Sequence, residues 1–556
     1  MLRRALVLIL LCLAAAAHAG PRRAPDELSI GITQYPSTLN PLIEEMAAKT
    51  YVLGMVYRPL TTYDANWQPI CMLCVELPSF ANGLAQKIDL PGGKTGVRLT
   101  YTIRPDARWG DGVPVTTDDV LFSYDVGRNP LSGVADAEIF RRIVKIEAKD
   151  EKTFTMDVDR LMYDYPQQND FLILPAHIER AAFDNPAEYR IRTRYDTDPT
   201  NPGLYDGPYL VTEVSPGSHI VLERNPHWGG PQPYFRRIVV WTIDNTAALE
   251  ANLLAHGIDM VAGELGFSLD EALAFEKRYG GAFRIIYKPG LTYEHVDLDL
   301  DDPILADRRV RQALLYGIDR KAISDQLFAG RNPVANSFVP PLDWIYTDDV
   351  AHYAYDPARA RQLLDKAGWH EGEGGVRRND KGESLTLELA TTSGDRTREL
   401  VEEVLQSQWR EIGIDVRLKN QPARVLFGDT VTHRKFQMVM YAWQSAPENS
   451  PRETLRSDEI PDKANGFSGE NFPGFRNPEA DRLIDAIETE LDRGKRALLW
   501  HQIEQLYAEE LPALPLYFRA EPFVLPPWLE GVKPTGHQYP TTLWIEEWRR
   551  AAGVSG

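Results

Sequence analysis

The chain has 556 residues, 43% of them hydrophobic and 25% charged, with 12 Trp and 24 Tyr. That length exceeds one ordinary hydrophobic core, and the aromatic content excludes a disordered chain, leaving a soluble globular protein of two or three domains. The formal charge of -19 argues against nucleic acid and anionic membrane as partners.

Arg3 and Arg4, the apolar run 5–17 and then Ala17, His18 and Ala19 compose a secretory signal peptide over residues 1–19, cleaved after Ala19. The run is too short to span a bilayer. Cys12 stands behind Leu11, where a lipoprotein signal wants a small residue, so a free, exported protein is expected. Processing leaves Cys71 and Cys74, a C-x-x-C pair in an oxidising compartment, and three readings compete. A local disulfide needs Cα atoms within about 7 Å, which a turn at Met72 and Leu73 allows. A thioredoxin-like redox site needs a βαβ setting that Pro69, Pro78 and Asn82 do not suggest. A zinc site needs two more ligands, and the nearest later histidine is His177. Geometry and compartment favour the disulfide, and neither metal nor cofactor is expected.

Residues 28–33 (LSIGIT) read as a strand, Gln34 to Ser37 as the turn after it and 42–56 as a crossover helix. Over 63–190, short strands such as 97–103 and 153–158 alternate with Gly, Pro and Asp clusters, which predicts a mostly β insertion. Within it Trp109 to Gly112 is a turn, and Thr116 or Thr117 with Asp118 and Asp119 caps a helix over 120–126. Residues 205–228 read as a hairpin turning at Pro216 and Gly217. Strand 238–243, helix 247–255 and strand 258–262 form a βαβ unit. Glu264 lies just past that second strand, where open α/β sheets collect ligands; a solvated surface acid is the competing reading.

Val296 to Asp301 alternate so that three carboxylates share one strand face. Residues two apart lie roughly 7 Å apart along a strand, which favours a solvated face over a divalent metal site. Residues 308–328 predict one helix with Val310, Ala313, Leu314, Ile318, Ile323 and Leu327 as its apolar set. A strand with Leu385, Leu387 and Leu389, a helix with Leu400 to Ile412 ended by Gly413, and a strand from Ile414 to Leu418 repeat the βαβ pattern. FQMVMYAWQSAPENSP (436–451) adds a strand to Tyr441 and then a loop bearing Trp443, Gln444, Ser445 and Glu448. That loop reads as one wall of a ligand cleft or as a surface loop pinned by a core tryptophan. Two α/β lobes dividing near Gly290, with a cleft between them, account for the whole pattern. No G-x-S-x-G or H-E-x-x-H stretch occurs and the C-x-x-C lacks a matching base, so no enzyme is expected and an exported hydrolase is the distant rival.

Five ordered stretches then resemble a known family. YTIRPDARWGDGVPVTTDDVLFSYD (101–125), GPYLVTEVSPGSHIVLERNP (207–226), VRQALLYGIDRKAI (310–323), YDPARARQLLDKAGW (355–369) and LQSQWREIGIDVRL (405–418) are similar to the extracellular solute-binding proteins of the dipeptide, oligopeptide and nickel class that serve ABC importers. The resemblance implies the two-lobed periplasmic-binding-protein fold of the α/β class, with the ligand cleft between lobes and an extra β-rich N-terminal domain. Lobe I would comprise 20–62 and 191–290, the extra domain 63–190, lobe II 291–515, and 516–556 would return to lobe I. It also implies a monomer that closes on a peptide or peptide-like solute and delivers it to the permease subunits of an ABC transporter.

In peptide binders of that family the equivalent loop carries a tryptophan and, three residues on, an aspartate that pairs with the peptide α-amino group. Trp443 is in place here, and Ala446 holds the aspartate position. A buried ammonium needs a carboxylate, so Glu448 or Glu264 is the expected substitute, or the ligand lacks a free amine; a non-peptide solute or metal complex is the alternative cargo. Arginines that hold the peptide carboxylate in some relatives fall near Val431 and Met440 here, leaving Arg424 as the nearby substitute. Tyr293 and His295, at the start of the crossover strand, would line the cleft with Trp443, Tyr441, Ser445 and Gln34.

Overall fold

The computed structural model describes residues 24–552; the expected signal peptide, Cys12 included, lies outside them. Ten strands form one mixed sheet. In chain order they are β1 (Glu27–Ile32), β2 (Tyr209–Ser215), β3 (His219–Arg224), β4 (Arg237–Thr242), β5 (Met260–Val261), β6 (Arg284–Leu298), β7 (Thr386–Ala390), β8 (Asp415–Leu418), β9 (Met438–Gln444) and β10 (Ala513–Leu525). Across the sheet they run β8, β7, β9, β6, β10, β5, β1, β4, β3, β2. The expected hairpin is β2 and β3, with Gly217 at φ +72° in its turn, and the first βαβ unit is β4, the helix Thr246–Leu254 and β5.

Two long antiparallel strands carry the sheet from one half of the molecule to the other. β6 has 15 residues and β10 has 13. Their register runs from Arg284 opposite Leu525 to Pro289 opposite Ala520, breaks, and resumes with Tyr293 opposite Phe518. Beyond the break β6 also pairs with β9, Tyr293 opposite Trp443 and His295 opposite Tyr441. The cores separate in the same way: Leu28, Ile30, Val240, Met260 and Phe523 belong to one apolar cluster, and Val296, Leu298, Leu387, Met438 and Leu514 to another.

The insertion joins the first of these cores. Its antiparallel sheet, Ala85–Leu90, Lys94–Thr102, Thr153–Val158 and Ile143–Ala148, buries Val97, Tyr101 and Phe154 against the same cluster as β1. The helix Thr117–Arg128 packs on it behind a capping box formed by Thr116 and Asp119. Asp119 also accepts from the Ala176 amide at 2.8 Å and from Trp109 Nε1 at 3.3 Å, so the carboxylate ties the turn to the helix. Cys71 and Cys74 are joined as a disulfide with Cα atoms 5.1 Å apart.

Four expectations are corrected. The helix over 308–328 is two, Arg308–Tyr316 and Arg320–Phe328, because Asp319 caps the second through the Ala322 amide at 2.8 Å. The first crossover helix starts only at Ala47. The strand expected to stop at Tyr441 continues to Gln444, held by its pairing with β6. The carboxylate face of 297–301 is solvated only at its end: Asp297 is buried, Asp299 pairs with Arg434 at 2.7 Å, and Asp301 stays exposed while pairing with Arg434 at 2.9 Å and Arg476 at 2.8 Å.

At the register break, the Leu291 amide donates to Gly536 O at 3.0 Å, and a Cβ on Gly290 would stand 2.7 Å from the same oxygen. Gly290→Ala therefore forces the 535–537 segment away. It is expected to destabilise the protein by about 1–3 kcal/mol and to speed hydrogen exchange at the Leu291 amide; unchanged urea denaturation would show that the segment yields freely.

Candidate functional site

The two-residue period of a strand puts Tyr293, His295 and Asp297 of β6 on one face, and cross-strand pairing puts Tyr441 and Trp443 of β9 on the same face. These five side chains and Ser445 line a cavity of about 90 Å³. The helix Arg493–Glu510 closes it with Trp500 and Tyr507, two turns apart, and the loops at 338–345 and 446–455 complete it.

The side chains at its base are organised by hydrogen bonds. Tyr441 donates to Asp297 at 2.6 Å, and His295 Nε2 lies 3.3 Å from the other Asp297 oxygen. His295 Nδ1 faces Tyr293 O at 3.2 Å, so both ring nitrogens meet acceptors and the imidazolium is the form that fits. Burial is the largest influence and lowers the His295 pKa, but Asp297, the Tyr293 carbonyl and Glu294 together outweigh it and the pKa is raised. The Tyr293 ring stacks on His295, centroids 4.8 Å apart, and its hydroxyl meets that of Tyr507 at 3.1 Å.

Ser445 is half-buried, and no hydrogen bond from its side chain is present among the described residues. Glu448 sits one step further along the turn with φ +51°, and its carboxylate is already engaged. It accepts from Arg496 Nε and, at 3.0 Å, from Trp344 Nε1, while its amide donates to Asp343 at 2.6 Å. Burial, partly offset by Arg496, pushes the Glu448 pKa up to about 7.

The other expected residues lie elsewhere. Gln34 and Glu264 follow β1 and β5, brought together by the Thr33 amide donating to Leu265 O at 2.9 Å. Gln34 is exposed. Glu264 accepts from the Thr541 amide and hydroxyl, both at 2.9 Å, and its second oxygen is buried without a partner. Arg424 is exposed on the helical turn Ala423–Val425 and lines neither this cavity nor the next.

A second cavity, of about 260 Å³, separates the insertion from residues 446–449. Asp136, Glu138, Asp164 and Asp170 line it together with Arg142 and Arg160. Ala446 and Asn449 line both cavities, so this turn is the partition between them. The insertion grips the turn directly: Tyr163 Oη donates to Glu448 O, and Tyr63 Oη to Pro447 O at 3.3 Å.

Sequence reasoning passed over Asp297, Asp343, Glu470, Trp500 and Tyr507, all of which line the first cavity. The seven-residue spacing of Trp500 and Tyr507 on one helix was the available signal; Asp343 and Glu470 sit in loops, where no period marks them.

A family model described as bacterial extracellular solute-binding proteins, family 5 middle, matches residues 89–457. The chain is 26% identical over 525 residues to the oligopeptide-binding protein AppA of Bacillus subtilis, covering 93% of this chain and 90% of that one. It is 24% identical over 524 residues to the nickel-binding periplasmic protein of Escherichia coli, covering 93% of each. The crystal structure of an oligopeptide binding protein from Thermus thermophilus complexed with a pentapeptide matches with a TM-score of 0.68 at 28% identity, over 95% of this chain and 96% of that one. Among the described residues no helix is long and apolar enough to cross a membrane.

Behind the cavity, between Trp500 and Tyr507, Glu504 is fully buried; one oxygen accepts from Ser337 Oγ at 2.7 Å and the other has no partner. Burial pushes its pKa from 4.5 up to about 9. The folded state then holds this proton more tightly than the unfolded chain, so stability falls as pH rises between those two values. Calorimetric melts are expected to show the midpoint dropping from about pH 5 to about pH 9 and a shallower drop in Glu504→Gln. Identical slopes in the two proteins would remove Glu504 as the cause.

Proposed function

The chain belongs to family 5 of the bacterial extracellular solute-binding proteins, and on that premise we propose that it is the periplasmic substrate-binding component of an ABC importer. It captures a peptide or peptide-like solute between its lobes and presents the closed form to the permease, as a monomer and without catalysis. The observation that carries this reading is the convergence of Tyr293, His295, Tyr441 and Trp443 on one cavity, which lies within the second lobe beside the place where β6 and β10 pass between the two cores and would form that lobe's wall of the cleft. The lobes divide at 290/291 and 515/516, and 63–190 form the additional domain.

Closure requires that the solute interact more favourably with the closed state than with the open one. Trp443 offers a half-buried ring for stacking, and Ser445 offers an uncommitted hydroxyl. Glu448 is a poor partner for a ligand amine, since Arg496 and Trp344 already hold its carboxylate; Glu264 retains an unpartnered oxygen. The likeness to a nickel-binding relative supports a metal complex as the second reading, and loss of bound ligand on exhaustive chelation would favour it.

Native mass spectrometry of protein purified from its own host, with the carried-over ligand released and identified, tests the cargo. A ladder of short peptides is expected; a single non-peptide species would overturn the peptide reading. Trp443→Ala is expected to weaken binding of the released ligand about tenfold, or about 1.4 kcal/mol, with unchanged thermal unfolding. Unaltered affinity would place Trp443 outside the site.

A further inference from the structure

A third apolar cluster, around Val339, Ile345, Leu483, Trp500 and Tyr507, belongs to the second half of the molecule except for one buried member, Tyr163. Tyr163 comes from the insertion, whose Val97, Phe154 and Val158 lie in the first core. It stands in the segment 159–175, which has neither helix nor strand and joins the strand Thr153–Val158 to the helix Ala176–Glu179. This segment is tied to its own side of the molecule before and after Tyr163. The Asp159 amide donates to Arg142 O at 2.9 Å, Tyr101 Oη to Pro166 O at 3.1 Å, and the Gln168 amide to Thr61 Oγ1 at 2.8 Å.

Between those ties the chain crosses to the other half. The Tyr163 amide donates to Glu488 O at 3.0 Å, a carbonyl in the last turn of the helix Pro478–Thr489, where no intrahelical donor follows. The hydroxyl donates to Glu448 O, and the Arg496 guanidinium lies over the ring, 4.9 Å from its centroid. The socket is built by its own half. The Glu448 carboxylate and Glu490 O, the latter at 2.9 Å, hold Arg496, while Arg452 and Ser450 fix the Glu488 carboxylate at 2.6 and 2.8 Å.

Beside this plug the two sides do not meet. The cavity of about 260 Å³ has Met162 and Asp164 of the crossing segment in one wall and Ala446 and Asn449 in the other. Protein interiors leave few voids larger than a water molecule, so this face is seated at one side chain rather than fused into a core. Arg331 also bridges the halves, pairing with Glu276 at 3.6 Å, but it lies over the Tyr287 ring of β6 at 4.4 Å and so stands at the joint, where a hinge motion displaces atoms least.

We propose that the 159–175 segment is a latch: Tyr163 of the insertion seats in a socket of the second lobe and holds the closed form together without solute, so that opening the cleft means withdrawing this one side chain. The inference concerns the contact of the lobes with each other and does not depend on which solute is carried.

Small-angle X-ray scattering of ligand-free protein tests it, with wild type compared with Tyr163→Ala and Tyr163→Phe. The wild type is expected to scatter as the closed structure, with a radius of gyration of about 24 Å, and Tyr163→Ala to raise it by on the order of 1 Å. Tyr163→Phe, which keeps the ring and the amide, is expected to shift it less. Identical scattering from wild type and Tyr163→Ala would overturn the latch, and far-ultraviolet circular dichroism checks that the variants are folded. Should Tyr163→Ala fail to fold, hydrogen exchange on the wild type decides. The Tyr163 amide is expected to exchange at least about tenfold more slowly than in a free chain, yet faster than the amides of β1, because lobe opening exposes it without unfolding. Exchange at the free-chain rate, or as slow as in β1, would overturn the proposal.

Discussion

The antiparallel pairing of β6 with β10 is the constraint on which the rest of the molecule depends. These are the only strands of the main sheet that contribute to both cores among the described residues, and their hydrogen-bond ladder is interrupted between Pro289 and Tyr293 and again at Glu294. An uninterrupted ladder would weld the two halves into one rigid sheet, while a gap of three residues leaves two ladders meeting at a joint. The joint is still specified. Glu294, fully buried at the second shift, accepts from Arg398 at 2.8 Å and from Arg519 at 2.7 Å. A buried carboxylate deprived of either partner is strongly disfavoured, so this triad holds the joint in register.

Much of this architecture was legible because it rests on local periodicity. Leu385, Leu387 and Leu389 alternate and are all fully buried, and Val401, Leu405 and Trp409 recur every four residues on the helix between β7 and β8. Gly413, at φ +89°, ends that segment as a left-handed residue should. What periodicity could not convey was strand neighbourhood. Trp443 looked like the first residue of a loop because its own sequence turns polar, yet the pairing of Tyr293 with Trp443 extends the strand past it. Asp297, Asp299 and Asp301 looked solvated for the same reason: their partners Tyr441, Arg434 and Arg476 are more than 130 residues away in sequence. The site was accordingly half visible. Tyr293, His295, Tyr441, Trp443 and Ser445 converge, while Gln34, Glu264 and Arg424 do not share their cavity.

Glu448 illustrates why residue type alone misleads about a binding acid. It has the right charge and lies in the right turn, but Arg496, Trp344 and Asp343 surround it, and its backbone takes a left-handed conformation that a glutamate adopts only under tertiary constraint. An acid so encumbered shapes the turn, whereas Glu264 keeps one carboxylate oxygen without a donor.

The turn at 446–449 is held from both sides. Its carbonyls receive Tyr63 and Tyr163 from the insertion, its Glu448 amide is held by Asp343, and Ala446 and Asn449 wall both cavities. The aromatic cavity and the insertion therefore meet on one short turn, the first at Ala446 and Asn449 and the second at Pro447 and Glu448. Small displacements there cannot be absorbed locally, since packed contacts on both sides permit few alternative arrangements.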